Sequence, residues 1–383
     1  MKKNKTLFII LDGAADRPSA FAAAGMKNLN ALAGKSSCGL WSGPYAPGYN
    51  PKSMSSVATL ELLGYSYKDE PGRGFLEALG IGIKTDKNSV YLRANFSTVD
   101  DDLNIIDRRA GRDDHGFDEL ARFLNNKIKS IEDIRIRLCR SVGHRNVLVL
   151  TGKGLSKDIY DSDRGEKPHE IISRNKQAKK TAHILNKYLR LSHHILENHE
   201  INKRRKFPAN YLLVRSAGSQ MRVKPFRKAY GFNACSISGM GIIKGISKYL
   251  GVKDAAPGLW ENYETNLKKR FMLAEKMLKK HDFVLLHING ADIYGHDRHF
   301  RKKIEFLKKV DKEFARLNKF KGANIVVACD HITLSETGEH LFGKTPLLIF
   351  TGKKSNNIHK FDEKNCRRGF ATKNPMKKLM ELG

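Results

Sequence analysis

Residues 6–12 read TLFIILD, a run of apolar and branched side chains that stops at an aspartate. Two later stretches take the same form, FVLLHINGAD at 283–292 and NIVVACD at 324–330. Their hydrophobicity is continuous rather than alternating, which is the pattern of strands buried on both faces in a parallel sheet flanked by helices. Ligands of such sheets gather outside the carboxyl ends of the strands, so Asp12, Asp292 and Asp330 are expected on the functional rim. A single aspartate after a strand is ordinary turn chemistry. Three of them, with His296, His331 and His340 nearby, are harder to explain that way.

The same reading places helices over 264–280 and 298–318, the second because Phe300, Ile304, Leu307, Val310, Phe314 and Leu317 recur at a helical period among lysines. Residues 84–228 carry strand signals of their own, such as VYLRANFSTV (90–99) and RNVLVL (145–150), and a polar, basic helical stretch at 169–199. Aspartate-tipped strands lie on both sides of this segment. It therefore reads as a smaller α+β domain inserted into a discontinuous α/β domain made of 1–83 and 229–383.

With 383 residues the chain exceeds what one hydrophobic core usually holds, and 40% hydrophobic residues suffice for folding. The cysteines at 38, 139, 235, 329 and 366 are odd in number, dispersed and without metal-type spacing, which suits a reducing cytoplasm. The apolar run Leu7 to Leu11 is too short for a signal peptide or a membrane span, so no membrane partner is expected. A formal charge of +30 attracts anions of every kind, nucleic acid and phosphorylated metabolites included. The basic residues are spread along the chain, densest at KRRK (203–206), with no aromatic interleaving or recognised nucleic-acid motif. A solvated basic surface is favoured over a nucleic-acid partner.

Residues 338–345, GEHLFGKT, fit the phosphate-loop pattern G-x-x-x-x-G-K-[ST]. Such a loop must leave a buried strand and enter a helix whose amino end faces the phosphates. Here Pro346 and the apolar run LLIF (347–350) follow, which is a strand signal, and the preceding HITLSET (331–337) is polar. No nucleotide is expected, and His340 needs another role.

Asp12, Asp292, His296, Asp330, His331 and His340 offer enough oxygen and nitrogen donors for two metal ions. Mixed carboxylate and imidazole sites suit manganese, zinc, cobalt or iron better than calcium, and a pair of ions suits phosphoryl transfer. A nucleophile is available in PGYNPKSMSSVATLELLGY (47–65), where Ser53, Ser55 and Ser56 precede the helical pattern of Val57, Leu60 and Leu63. Serine at a helix start is a favoured cap; it can also be a nucleophile activated by metal, with the helix amino end stabilising the phosphoryl group it acquires.

The ordered pieces LFIILDGAADRP, a serine before LLGY, GRGFLEALGIGI (72–83), RANFSTV, IDRRAGR (106–112), ANYLLVRSAG (209–218), SGMGIIKGISKYLG (238–251), HINGADIYGHD and CDHITLSETGEH cover nearly the whole chain. Together they resemble the archaeal-type cofactor-independent phosphoglycerate mutases of the alkaline phosphatase superfamily. The resemblance implies an alkaline-phosphatase-like parallel-sheet sandwich with an inserted substrate-clamping domain, and interconversion of 3-phosphoglycerate and 2-phosphoglycerate through a phosphoserine, without bisphosphoglycerate. It implies two divalent metal ions, manganese first, with zinc, cobalt or magnesium as alternatives. Asp12, Ser55, Asp330 and His331 match the ligands of one ion, with Ser55 as the phosphorylated residue, and Asp292, His296 and His340 match those of the other. Lys244, Arg109, Arg112 and Arg215 fall where anion-binding residues of the family would be. Ser56 and Thr59 stand where similar sequences carry aspartate and histidine, and Ile332, Thr333 and Leu334 where they carry serine, threonine and proline. The rival readings are a metal-dependent phosphatase or homoserine-kinase-like phosphotransferase of the same superfamily, and a basic nucleic-acid-binding protein with a decayed centre.

Overall fold

The computed structural model describes residues 4–43, 54–260, 266–320, 322–353 and 355–383, so Ser53 lies outside the described residues. Two compact units emerge, one of Met1–Glu70 with Val223–Gly383 and one of Pro71–Arg222. The first opens with β1 (Thr6–Leu11), α1 (Ala20–Ala24), α2 (Lys27–Ala33), β2 (Ser37–Trp41) and α3 (Met54–Leu62). The second unit comprises α4 (Arg73–Gly80), β3 (Ser89–Val99), β4 (Ile105–Asp107), α5 (Phe117–Lys127), β5 (Ser130–Ile131), β6 (Ile134–Arg140), β7 (Arg145–Thr151), α6 (Lys179–Glu197), α7 (Glu200–Lys203) and β8 (Tyr211–Ser219). The first unit resumes with α8 (Phe226–Tyr230), β9 (Ala234–Ile237), α9 (Gly241–Tyr249), β10 (Lys253–Asp254), α10 (Leu267–Leu278), β11 (Phe283–Ile288), α11 (Gly290–His296) and α12 (Phe300–Phe314). It closes with β12 (Asn324–Cys329), β13 (Ile332–Thr333), β14 (His340–Leu341), β15 (Thr345–Phe350), α13 (Glu363–Cys366), β16 (Phe370–Thr372) and α14 (Pro375–Leu382). Among the described residues no helix is long and apolar enough to cross a membrane.

The sheet of the first unit runs β10-β9-β11-β1-β12-β15-β2-β16. β1 sits in its middle, parallel to β11 and β12, and all six of its residues are buried. Leu7, Ile9 and Leu11 join one core cluster with Phe271, Phe306, Leu307, Val310 and Phe314 of α10 and α12. Phe8 turns to the other face, where its ring lies 5.8 Å from that of Phe283. Each such side chain contributes about 1.5–3 kcal/mol on leaving water, which favours the apolar run from Leu7 to Leu11. The sheet is mixed rather than wholly parallel: β15 runs antiparallel to both β12 and β2. The chain between β12 and β15 folds as the short hairpin β13-β14 instead of a helical crossover, and a parallel return would need the crossover.

α12 buries the face its apolar period predicts, but that face also carries Lys303 and Asp311. The Lys303 ammonium is fully enclosed, 2.9 Å from Asp16 Oδ2, and donates to the carbonyls of Ala15 at 3.2 Å and Thr333 at 2.8 Å. It thereby joins the loop after β1 to the end of β13. Lys303→Met would strand the Asp16 carboxylate in the interior and is expected to destabilise the chain by about 3–5 kcal/mol, the usual result of removing one partner of a buried pair. Urea unfolding checks this, and a loss under about 1 kcal/mol would assign the strut no importance.

In the second unit β3 pairs antiparallel with β4, β7 and β8, and β7 continues through β6 to β5. β6, IRIRLCR, alternates buried Ile134, Ile136 and Leu138 with exposed Arg135 and Arg137. The apolar face meets α5 and α6 in a separate core. The second compact unit spans Pro71–Arg222 where the sequence reading had 84–228, with α4 packed on β3 and β8. Gly72 and Gly218 approach so closely there that a Cβ on Gly218 would lie 2.7 Å from the Gly72 carbonyl oxygen.

Candidate functional site

Register brings the carboxylates together. Leu11 pairs with both Ile288 and Cys329, so β1, β11 and β12 end flush and Asp12 and Asp330 emerge side by side. Asp292 follows in the first turn of α11, and His296 one helical turn later returns to the same face. β14 carries His340, whose partner in the hairpin is Thr333. Gly13 turns the chain after Asp12 with φ +57°, and any Cβ there would fall 2.4 Å from Asp292 Oδ1. Its N–H donates to Asp330 Oδ1 at 2.9 Å.

Two ligand groups result, Asp12 with Asp330 and His331, and Asp292 with His331 and His340, each with donor atoms within 4.8 Å of one another. His331 belongs to both. Its Nδ1 lies 2.9 Å from Asp330 Oδ1 and 3.6 Å from Asp12 Oδ1, and its Nε2 3.4 Å from Asp292 Oδ1. His340 Nε2 stands 3.0 Å from the Nε2 atoms of both His331 and His296, and His296 Nε2 is 3.4 Å from Asp292 Oδ2. Donation from His296 Nδ1 to the Gly338 carbonyl at 2.7 Å leaves the Nε2 lone pair facing the cluster, the usual second bond of a metal-ligating histidine. Asp330 Oδ2 is buried without a hydrogen-bond partner. Converging imidazole nitrogens, buried carboxylates and an unsatisfied carboxylate oxygen are a donor set that could hold a divalent cation. The donor set has no thiolate and is mostly carboxylate and imidazole, as manganese, zinc or cobalt would accept.

Electrostatics agree with the geometry. Burial opposes charging the His331 ring, but Asp330 and Asp292 outweigh it and raise its pKa to about 9. Burial would raise Asp292 as well, yet hydrogen bonds from His331 and His340 hold it well below the usual carboxylate range. Asp330 is likewise lowered, against its burial, by His331. Burial and then the charge of His331 lower His340. Metal must displace the proton on His331, so the stripped chain is expected to bind manganese more tightly as pH rises toward about 9, by up to about tenfold per pH unit. Calorimetric titration across that range checks this; a flat profile would contradict it.

Ser55 is buried in the first turn of α3, and its hydroxyl makes no hydrogen bond among the described residues. Ser56 differs, with its hydroxyl donating to Glu70 Oε1 at 3.3 Å, and Thr59 Oγ1 is buried without a partner. The Lys244 ammonium is enclosed, 3.0 Å from Asp254 Oδ2 and donating to the Ala256 carbonyl at 2.5 Å. The second unit holds Arg215, whose Nη1 lies 3.4 Å from Asp163 Oδ2 and whose Nε is buried without an acceptor. Arg109 is exposed, and the side chain of Arg112 lies outside the described residues.

Sequence reasoning missed the company Arg215 keeps. Burial, and then Arg145, Arg109, Arg215 and Arg93, push the pKa of His144 down to about 2, which marks a concentrated positive field within this unit. Arg93 is itself buried against Glu77 at 3.2 Å. Beside Arg215 the β3–β8 register shifts, and Ser216 takes φ +55° while its N–H donates to Asp161 Oδ1 at 2.8 Å. Such bulges re-aim neighbouring side chains. Also missed was His287, fully buried with Nε2 3.4 Å from Asp12 Oδ2, its pKa lowered by burial to about 4. Its place one residue before the end of an aspartate-tipped strand was the available signal.

The segment GEHLFGKT enters β15 directly and no helix follows it, so it is not a phosphate loop; its Thr345 hydroxyl donates to the Cys329 carbonyl at 2.5 Å.

Residues 33–202 match the profile of the family described as 2,3-bisphosphoglycerate-independent phosphoglycerate mutase. A relative of that name from Sulfolobus acidocaldarius is 34% identical across 96% of this chain and 94% of its own. The structure of the cofactor-independent phosphoglycerate mutase of Thermoplasma acidophilum superposes with a TM-score of 0.67 at 30% identity, over 99% of this chain and 100% of that one. A Pyrococcus horikoshii protein superposes with a TM-score of 0.81 at 26% identity, over 100% and 98% of the two chains. The mixed sheet with its parallel centre is accordingly the alkaline-phosphatase-like fold. With the whole length matched, the chain belongs to the family of 2,3-bisphosphoglycerate-independent phosphoglycerate mutases.

Proposed function

We propose that this chain interconverts 3-phosphoglycerate and 2-phosphoglycerate through a phosphoserine at Ser55, at a centre of two divalent metal ions and in the cytoplasm, where its free cysteines are suited to stay reduced. The observation that carries the reading is the pair of ligand groups hinged on His331. Asp12, Asp330 and His331, with Ser55, would hold one ion, and Asp292, His296 and His340 the other. When bound, the ions supply Lewis acidity that lowers the pKa of the serine hydroxyl and neutralises charge on the phosphoryl oxygens.

Ser55 Oγ forms a bond to phosphorus as the ester bond to one glycerate oxygen breaks, and the freed hydroxyl takes a proton. The other glycerate hydroxyl then attacks the phosphoserine, and Ser55 is released. Ser56 is tied to Glu70 and is the poorer nucleophile. Arg215 and the arginines around His144 bind the carboxylate and phosphate of the substrate, for which the planar guanidinium is well shaped. Because Ser55 takes its phosphoryl group from the substrate itself and returns it, no bisphosphoglycerate is needed to prime the site.

The test is formation of 2-phosphoglycerate from 3-phosphoglycerate by the manganese-loaded chain. A chelator is expected to abolish turnover and added manganese to restore it. A phosphatase of the same superfamily would release inorganic phosphate and no isomer, and that product pattern would replace the mutase reading.

A further inference from the structure

Four cations meet around a cavity of about 560 Å³ in the unit that carries the metal ligands, outside the ligand set itself. Arg17 comes from the loop after β1, Lys344 from the segment between β14 and β15, and Lys364 and Arg367 from α13 and the residue after it. None of these side chains makes an ion pair or hydrogen bond among the described residues. Other exposed cations do find acids, for example Lys180 with Asp133 at 2.7 Å and Arg140 with Asp118 at 2.8 Å. The acids on the cavity wall are already occupied. Asp16 binds Lys303 and accepts from the Ser335 hydroxyl at 2.6 Å, and Glu363 accepts from Ser19. Burial pushes the Glu363 carboxyl up, which weakens it further as a counter-charge.

Unpaired lysines are ordinary on so basic a chain. Convergence from three distant segments on one concave, partly apolar space is not. Leu40, Ile332 and Pro18 supply the apolar wall. The volume is that of a small-metabolite pocket.

We propose that this cavity binds a small metabolite with at least two negative charges, phosphate or carboxylate, on a short apolar frame. Lys344, the lysine that completes the phosphate-loop pattern, is then an anion ligand without a nucleotide. The occupant would rest on Ile332, which directly follows His331 and pairs with Leu341 beside His340, so its presence would be felt by both metal groups. The site does not depend on which reaction the metal centre performs.

The probe is 1,3-benzenedisulfonate, a dianion on an apolar ring whose sulfonates ligate divalent cations poorly, titrated calorimetrically into the manganese-loaded full chain. One site is expected, weakened about tenfold or more by Lys364→Glu combined with Arg367→Glu and less by Lys344→Ala, and unchanged by Ser55→Ala. Equal binding by wild type and the charge-reversed chain would overturn the proposal, as would loss on Ser55→Ala, which would place the probe at the reaction centre. Inorganic phosphate and succinate are then used as competitors. Stronger displacement by phosphate assigns a phosphorylated metabolite, stronger displacement by succinate a carboxylate, and displacement by neither refutes the site.

Discussion

Ser55→Ala is expected to lower phosphoryl transfer by on the order of 10⁴-fold or more, because it deletes the atom that carries the phosphoryl group. Fold and metal content are expected to survive. The lost hydroxyl makes no hydrogen bond among the described residues, so the change in stability stays within about 0.5 kcal/mol. Two readouts separate chemistry from structure. Mass spectrometry of wild type quenched during turnover should find one phosphoryl group on the peptide containing residue 55, absent from the variant, while metal analysis should give nearly the same content for both. Retained activity, or a phosphoryl group on Ser56, would move the nucleophile one residue along α3.

His331→Ala and His340→Ala are expected to differ, although both remove one imidazole from the same cluster. His331 belongs to both ligand groups and His340 to one. The first substitution takes a ligand from one ion and a close neighbour from the ligands of the other, so it should lower metal content more than the second, which takes a ligand from one ion. Activity should fall at least about a hundredfold in either variant, since both ions act on the same phosphoryl group. Without His331, the Asp12, Asp292 and Asp330 carboxylates lose the cation that compensates them in the metal-free chain, so His331→Ala should also unfold at a lower temperature than His340→Ala. Elemental analysis and thermal melting decide the matter. Equal metal loss in the two variants would mean that His331 acts on one position only.

Much of this centre was legible in the sequence because its ligands sit at strand ends, where a break in continuous hydrophobicity announces a position at the rim. Asp12 and Asp330 are of that kind, and register alone then makes them neighbours. His340 was legible only through order of motifs, since β14 is two residues long and carries no periodic signal. The contacts of Lys244 and Lys303 escaped for one reason. Each is a cation on the buried face of an amphipathic helix, and its role depends on a carboxylate or carbonyl contributed by a loop that no local pattern connects to it. The arginines around His144 were hidden in the same way, being scattered from Arg93 to Arg215 and gathered only by strand pairing. The second unit was visible as a change of pattern, but α4 repeats the helical texture of what precedes it, so the start of the compact unit at Pro71 was not read.

The central position of β1 has a consequence for synthesis. β1 leaves the ribosome well before its two neighbours, β11 and β12, which begin at residues 283 and 324. At about 5–20 residues per second TLFIIL waits on the order of tens of seconds without a partner. Among the described residues the strands of the inserted unit pair with one another, so that unit can close while β1 is still waiting. A bare hydrophobic strand held that long is a site for misassociation on the translating ribosome. The lysines at 2, 3 and 5, immediately ahead of it, are well placed to keep it apart from its copies until the carboxyl-terminal third of the chain arrives.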